Sequence, residues 1–192
     1  MIIFLITMTL IILSVVNEKV KRKKTFKIII ILILISCVVF GAYQYFQRSS
    51  SFIFTKTTNI EENISGLQLY DNIDSKEFVK KYGTNLKKLD NTLYDYYFLN
   101  DSLIIATNKQ KQIIRILVND QAISTLKTGK GIELGSQVDE VIKVYGENYY
   151  NRMSDVGVPV IGYVDKERKI NLEFFNYENK VIEIRYGINS VQ

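Results

Sequence analysis

Residues 28–46, IIIILILISCVVFGAYQYF, run for nineteen positions without a charge, and no other feature constrains the chain as strongly. At about 1.5 Å per residue such a run makes a helix roughly 28 Å long, close to the thickness of bilayer hydrocarbon. A core helix of that length normally keeps a polar face. Tyr43, Tyr45 and Phe46 lie at the outer end, where amphipathic rings favour the membrane interface, and Arg48 marks the exit. The run therefore predicts a transmembrane helix. Residues 1–16, MIIFLITMTLIILSVV, are apolar but shorter. They predict either a first membrane helix, completing a helical hairpin, or a mis-assigned start with the true N-terminus near Met8 or beyond.

Charge sharpens this reading. The chain is +5 overall. Six bases (Lys19, Lys21, Arg22, Lys23, Lys24 and Lys27) and the single acid Glu18 precede Phe46, leaving nineteen of each sign beyond it. The whole excess sits in the loop 17–27, which the positive-inside rule places in the cytoplasm, with the C-terminal two-thirds outside. A neutral outer domain offers no footprint for a phosphate backbone, so nucleic acid is excluded as a partner.

The chain has no His, no Trp and one Cys, at position 37. With no intrachain disulfide available, an outer domain must hold by packing alone. Leu34-Ile35-Ser36-Cys37 resembles the lipobox of bacterial lipoproteins, in which the Cys is lipidated. The apolar run continues through Val38-Val39-Phe40, where mature lipoproteins turn polar. Cys37 is therefore expected to stay unmodified in a plain helix.

Residues 47–65 are polar and rich in Ser and Thr apart from Phe52-Ile53-Phe54, and they predict a linker. An internal repeat follows. Gly66-Leu67-Gln68-Leu69 precedes a helical segment from Asp74 to Tyr82-Gly83, and Gly131-Ile132-Glu133-Leu134 precedes one from Ser136 to Tyr145-Gly146. Val138, Val141, Ile142 and Tyr145 form one apolar stripe. Asp74 and Ser136 are the expected N-caps, and each glycine the expected stop. Three strand-like runs follow each helix: 93–99, 102–107 and 112–118, then 159–164, 169–175 and 180–186. The expected fold class is α+β: a transmembrane helix or helical hairpin, then two tandem repeats of a helix packed on a three-stranded antiparallel sheet. Repeat 1 is set at 66–120, an inter-repeat linker at 121–130 and repeat 2 at 131–192.

The Gly-Ile-x-Leu-Gly start, the Tyr-Gly helix end and the hairpin from Asn176 to Ile184 resemble the tandem repeats of BamE-like and β-lactamase-inhibitor-protein-like (BLIP-like) domains. Such repeats occur in exported domains of Gram-positive bacteria, including CAP-associated ones. The resemblance covers residues 66–188 and implies a protein-binding or envelope module. The paired cysteines of the inhibitor proteins are missing, so β-lactamase inhibition does not carry over.

Catalytic candidates are few. Without His there is no Ser-His or Cys-His pair and no imidazole metal ligand. Asp71-Asn72-Ile73-Asp74 lacks the pattern of a calcium loop and reads as a turn. Ser124-Thr125-Leu126-Lys127 and Lys127-Thr128-Gly129 match the S-x-x-K and K-T-G motifs of penicillin-recognising enzymes. Both motifs would need the same Lys127, so the match reads as chance. Asn63-Ile64-Ser65 and Asn100-Asp101-Ser102 fit the glycosylation triplet, which arises easily by chance in an Asn-rich chain. No cofactor or metal is expected.

The expected function is a non-catalytic, membrane-anchored interaction module of the bacterial envelope, binding a protein or wall component. An accessory subunit of a membrane complex is the alternative, and a carboxylate or Ser-Lys enzyme a weaker one. Strict alternation places Ile114, Ile116 and Val118 on the buried face and Ile113, Arg115 and Leu117 opposite. The expected partner contact is Ile113 and Leu117, with Tyr94, Tyr96 and Phe98 beside them. The competing reading is that the second repeat or Phe52-Ile53-Phe54 covers this face.

Overall fold

The computed structural model describes residues 30–42, 55–90, 94–119 and 126–189. The chain divides into an N-terminal unit ending at Ser50 and a second unit beginning at Ser51.

In the first unit residues 30–42 form helix α1, and every one of them is exposed. Thirteen residues rise about 20 Å, short of the roughly 30 Å of bilayer hydrocarbon. Among the described residues no helix is long and apolar enough to cross a membrane, which corrects the expected transmembrane helix. Residues 1–16, the basic loop 17–27 and both flanks of α1 lie outside the described residues.

The described residues of the second unit form two short helices, α2 (Lys76–Tyr82) and α3 (Val138–Tyr145), and eight strands. These are β1 (Lys87–Asp90), β2 (Asp95–Phe98), β3 (Leu103–Thr107), β4 (Ile113–Asn119), β5 (Tyr150–Met153), β6 (Pro159–Asp165), β7 (Ile170–Tyr177) and β8 (Lys180–Ile188). All eight belong to one antiparallel sheet in the order β1-β2-β3-β4-β8-β7-β6-β5. The expectation of two helix-on-three-strand repeats is therefore overturned. Each helix is followed by four strands, and β4 pairs with β8 (Ile116 opposite Tyr186), so the strands form one continuous sheet.

Local chemistry starts each helix one residue later than expected, while Gly83 and Gly146 close them where expected. Ser75 caps α2, its Oγ accepting from the Phe78 N–H at 3.2 Å. Gln137 precedes α3, and Glu140 reaches back to accept the Gln137 N–H at 3.0 Å. Both helices lie on one sheet face. Phe78, Val141 and Tyr145 join Ile105, Ile116, Val118, Leu172, Phe174, Ile184 and Tyr186 in one apolar core, and the Tyr145 ring packs 5.4 Å from both Tyr163 and Phe174.

Strict alternation fails at the start of the last strand in each half. Thr107 pairs with Ile113 and Ala106 with Arg115, leaving Ile114 as an extra residue. Likewise Asn176 pairs with Val181 and Phe175 with Glu183, leaving Ile182 extra. Each bulge sits where the segment entering a helix is tied to the strand. Tyr70 N–H donates to Ile113 C=O at 2.7 Å and Ile113 N–H to Asp71 C=O at 2.9 Å; Gly135 donates to Val181 and Val181 to Ser136 at the same two distances. The extra residue inverts the faces around it. Ile113 and Val181 enter the core, and Ile114 packs with Ala106 on the opposite side.

The described end of the expected linker is structured. Thr58 N–H donates to Val164 C=O, Gly129 N–H donates to Asn63 C=O, and Arg168 pairs with Glu61 at 2.8 Å. Ile60 and Ile64 belong to the core. Beside them the buried Glu62 accepts the Tyr145 hydroxyl at 2.5 Å, and that hydroxyl also lies 2.9 Å from Thr128 Oγ1. This segment straps onto parts of the chain far away in sequence. Within the expected inter-repeat linker, Thr128 bridges to Ile64 and Lys127 to Glu133.

Tyr145→Phe removes the donor to a buried carboxylate while keeping the ring. A loss of about 1–3 kcal/mol is expected, as for a buried polar group stripped of a partner. The urea-denaturation midpoint measures it, and an unchanged midpoint would show that the Glu62 contact contributes nothing.

Candidate functional site

The sheet face opposite the helices carries polar and charged side chains in register, and cross-strand partners on it can be followed from edge to edge. Lys87, Phe98, Ile104, Leu117, Arg185, Glu173, Gly162 and Tyr150 stand successively opposite one another on eight neighbouring strands. Flanking this row are Tyr96, Ala106, Arg115 and Gly187 on one side, and Asn119, Glu183, Phe175, Val160 and Arg152 on the other.

In the β5–β7 half the face is closed by a charged cluster. Glu173, 5% exposed, accepts from Arg152 through both oxygens: Nε to Oε1 at 2.8 Å and Nη2 to Oε2 at 2.9 Å. The Tyr150 hydroxyl adds a third bond to Oε1 at 2.6 Å. This fork geometry is the arrangement that makes a buried carboxylate tolerable. Gly162 lies between Tyr150 and Glu173. A Cβ there would come within 2.1 Å of Tyr150 Cζ, so the missing side chain is what lets the ring lie across the strand. The guanidinium groups of Arg152 and Arg185 lie 5.5 Å and 4.1 Å from the Phe175 ring centre, and Arg185 also pairs with Glu183.

Environment shifts these groups in defined directions. Burial, then the charge and hydrogen bond of Glu173, push the Tyr150 phenol well above its ordinary range. Burial works against the charge on Arg152, but the hydrogen bond and charge of Glu173 outweigh it and hold the guanidinium above its usual value. Arg115 is lowered, chiefly by burial and further by the nearby Arg185, against the raising effects of Tyr96 and Glu173.

In the β1–β4 half the same face is partly open. Tyr94, Tyr96, Phe98, Ile104 and Leu117 are half-buried, and Tyr94 and Tyr96 pack beside Ala106 and Ile114. Four of the five expected contact residues, Tyr94, Tyr96, Phe98 and Leu117, thus retain accessible surface. Ile113 does not. It is fully buried in the core on the helix side, because the bulge at Ile114 turns it through the sheet. Cys37 is exposed on α1 as a free thiol.

Alternation across Ile170 to Phe174 already set Glu173 on the face away from the core. Its partner Arg152 was missed because Tyr150-Asn151-Arg152-Met153 shows no strand pattern. Among the described residues no cluster of acidic or Cys side chains could hold a metal ion. A cleft of about 510 Å³ opens between the strap and the strands, lined by Glu61, Glu62, Arg168 and Tyr186 among others. The Tyr186 phenol there is pushed up to about 12, mainly by burial.

Arg152→Ala would leave Glu173 buried with only Tyr150 as donor, for an expected loss of about 2–3 kcal/mol. Arg152→Lys should restore only part of it, since an ammonium cannot reproduce the fork. Urea denaturation of the three proteins tests both statements. A second measurement follows from Tyr150. Its folded pKa lies above its unfolded value of about 10, so its contribution is complete below that pH and is lost as pH rises beyond it. Tyr150→Phe should flatten the fall in stability above pH ~10; an unchanged fall would assign it to other groups.

No protein-family model matches this chain, and neither the curated proteins nor the solved structures include a match to it.

Proposed function

We propose that this chain is a non-catalytic interaction module of the bacterial cell envelope, held at a membrane by its apolar N-terminal segment and working on the extracytoplasmic side. The observation that carries the reading is α1. Ile31, Leu32, Ile33 and Leu34 are all exposed, and four successive residues about 100° apart point to every side of the helix. A helix apolar all round is stable where apolar surroundings cover it, and lipid supplies them without further design. The +5 excess in the loop just before this segment supports membrane association, because a basic cluster beside an apolar segment is drawn to anionic lipid. The partner on this reading is an envelope protein or wall component, the class of function that the resemblance of residues 66–188 to BamE-like and BLIP-like repeats also implies.

The alternative is an accessory subunit, with α1 packed against apolar helices of another membrane protein. Ser36, Cys37, Gly41 and Ala42 favour it, being small enough for close helix contact.

Flotation of the full chain with lipid vesicles tests the main reading. The wild-type chain should rise with the vesicles, and a variant carrying Leu34→Lys and Val38→Lys should remain behind. The two lysines cost roughly 5–7 kcal/mol if both lie deep in the apolar layer. Equal flotation of the two chains would remove α1 as the anchor.

A further inference from the structure

One row of the sheet face has a pattern that helix packing does not use. Lys87, Phe98, Ile104, Leu117 and Arg185 stand directly opposite one another on β1, β2, β3, β4 and β8. The row is three apolar side chains with a cation at each end, and all five retain accessible surface. Four inter-strand steps of about 4.8 Å put the backbone positions of the two cations roughly 19 Å apart. Each is propped on an aromatic ring: Lys87 Nζ lies 5.1 Å from the Phe98 centroid, and the Arg185 guanidinium lies 4.1 Å from that of Phe175. Arg115 stands beside Leu117 and Arg185 on the same face and hydrogen-bonds Tyr96. The acids next to this stretch are Glu183, which pairs with Arg185, and Glu173, which stands opposite Arg185 and is bound by Arg152. Lys87, Arg115, Arg152 and Arg185 against these two acids leave this side of the sheet net positive.

We propose that this row docks a protein segment in which apolar residues are flanked by carboxylates roughly 19 Å apart, lying across the strands. The proposal rests on the interaction-module reading and adds the partner's chemistry to it. Phe98, Ile104 and Leu117 form an apolar row on the sheet face, and a chain segment lying across the strands covers it lengthwise. Lys87 and Arg185 meet the flanking acids at the ends, and Arg115 adds positive potential beside the centre. Arg185 can receive a carboxylate while keeping Glu183, because a guanidinium has five N–H donors. The apolar centre supplies the affinity; the end charges set direction and register and speed the encounter.

A random-peptide display library, panned against the full chain in lipid nanodiscs, provides the probe. The expected result is enrichment of sequences with aliphatic or aromatic residues flanked by Asp or Glu. Two variants of unchanged melting temperature control it: Lys87→Glu with Arg185→Glu, and Leu117→Asp. Binding of the selected peptides should weaken by about tenfold or more in each, and the charge-reversal variant should lose most of the salt dependence. Enrichment of neutral or basic sequences, enrichment unaffected by both variants, or none at all would each overturn the proposal. So would vesicle binding that depends on Lys87 and Arg185, which would make anionic lipid the occupant, or self-association that depends on Leu117, which would make it a second copy. Flotation that depends on α1 is read separately, so loss of the docking row and loss of the membrane reading give different results.

Discussion

The pairing of β4 with β8 is the constraint on which the rest of the second unit depends. Ile116 faces Tyr186 and Val118 faces Ile184 across that junction, both pairs on the core side. Separated there, each four-stranded half would present β4 or β8 as an open edge, with unpaired N–H and C=O groups beside apolar side chains. Joined, the strands bury one continuous core beneath both helices. The actual edges of the sheet are β1 and β5, and their sequences suit that role: Lys87-Lys88-Leu89-Asp90 and Tyr150-Asn151-Arg152-Met153 are short and rich in polar side chains.

Much of the sheet is legible in the sequence for a physical reason. Interior strands with one face on a core must alternate, and the six interior strands coincide with the alternating or wholly apolar runs between polar turns. Edge strands carry no such requirement, and both were invisible. The joining of two three-strand groups into one sheet was equally hidden. Pairing between strands remote in sequence leaves no trace in local periodicity.

The bulges explain why the contact residues were only partly readable. Period-two reasoning assigns Ile113 and Leu117 to one face, and it holds from Arg115 to Asn119. At Ile114 one extra residue interrupts the period, and Ile113 crosses to the core. The cause lies far upstream, where Tyr70 and Asp71 take both backbone groups of Ile113. Val181 is held the same way by Gly135 and Ser136. The segment leading into a helix thus decides which face of a later strand looks outward. That coupling operates through backbone hydrogen bonds and is silent in side-chain chemistry.

The strap follows the same logic at longer range. Residues 57–65 read as linker because they are polar, yet they contribute Ile60 and Ile64 to the core and the buried Glu62 to Tyr145. A single acid among polar neighbours carries no mark of burial; only the distant Tyr145 and Thr128 make it stable there. Ile60 N–H also donates to Asp165, 105 positions away in sequence, and Arg168 meets Glu61 across 107. Contacts this remote in sequence leave no trace in local periodicity. The strap is also the described part of the second unit nearest in sequence to the apolar α1. Its polar surface, which made it look like a passive spacer, covers a segment locked to the domain by one buried carboxylate and a ladder of backbone bonds.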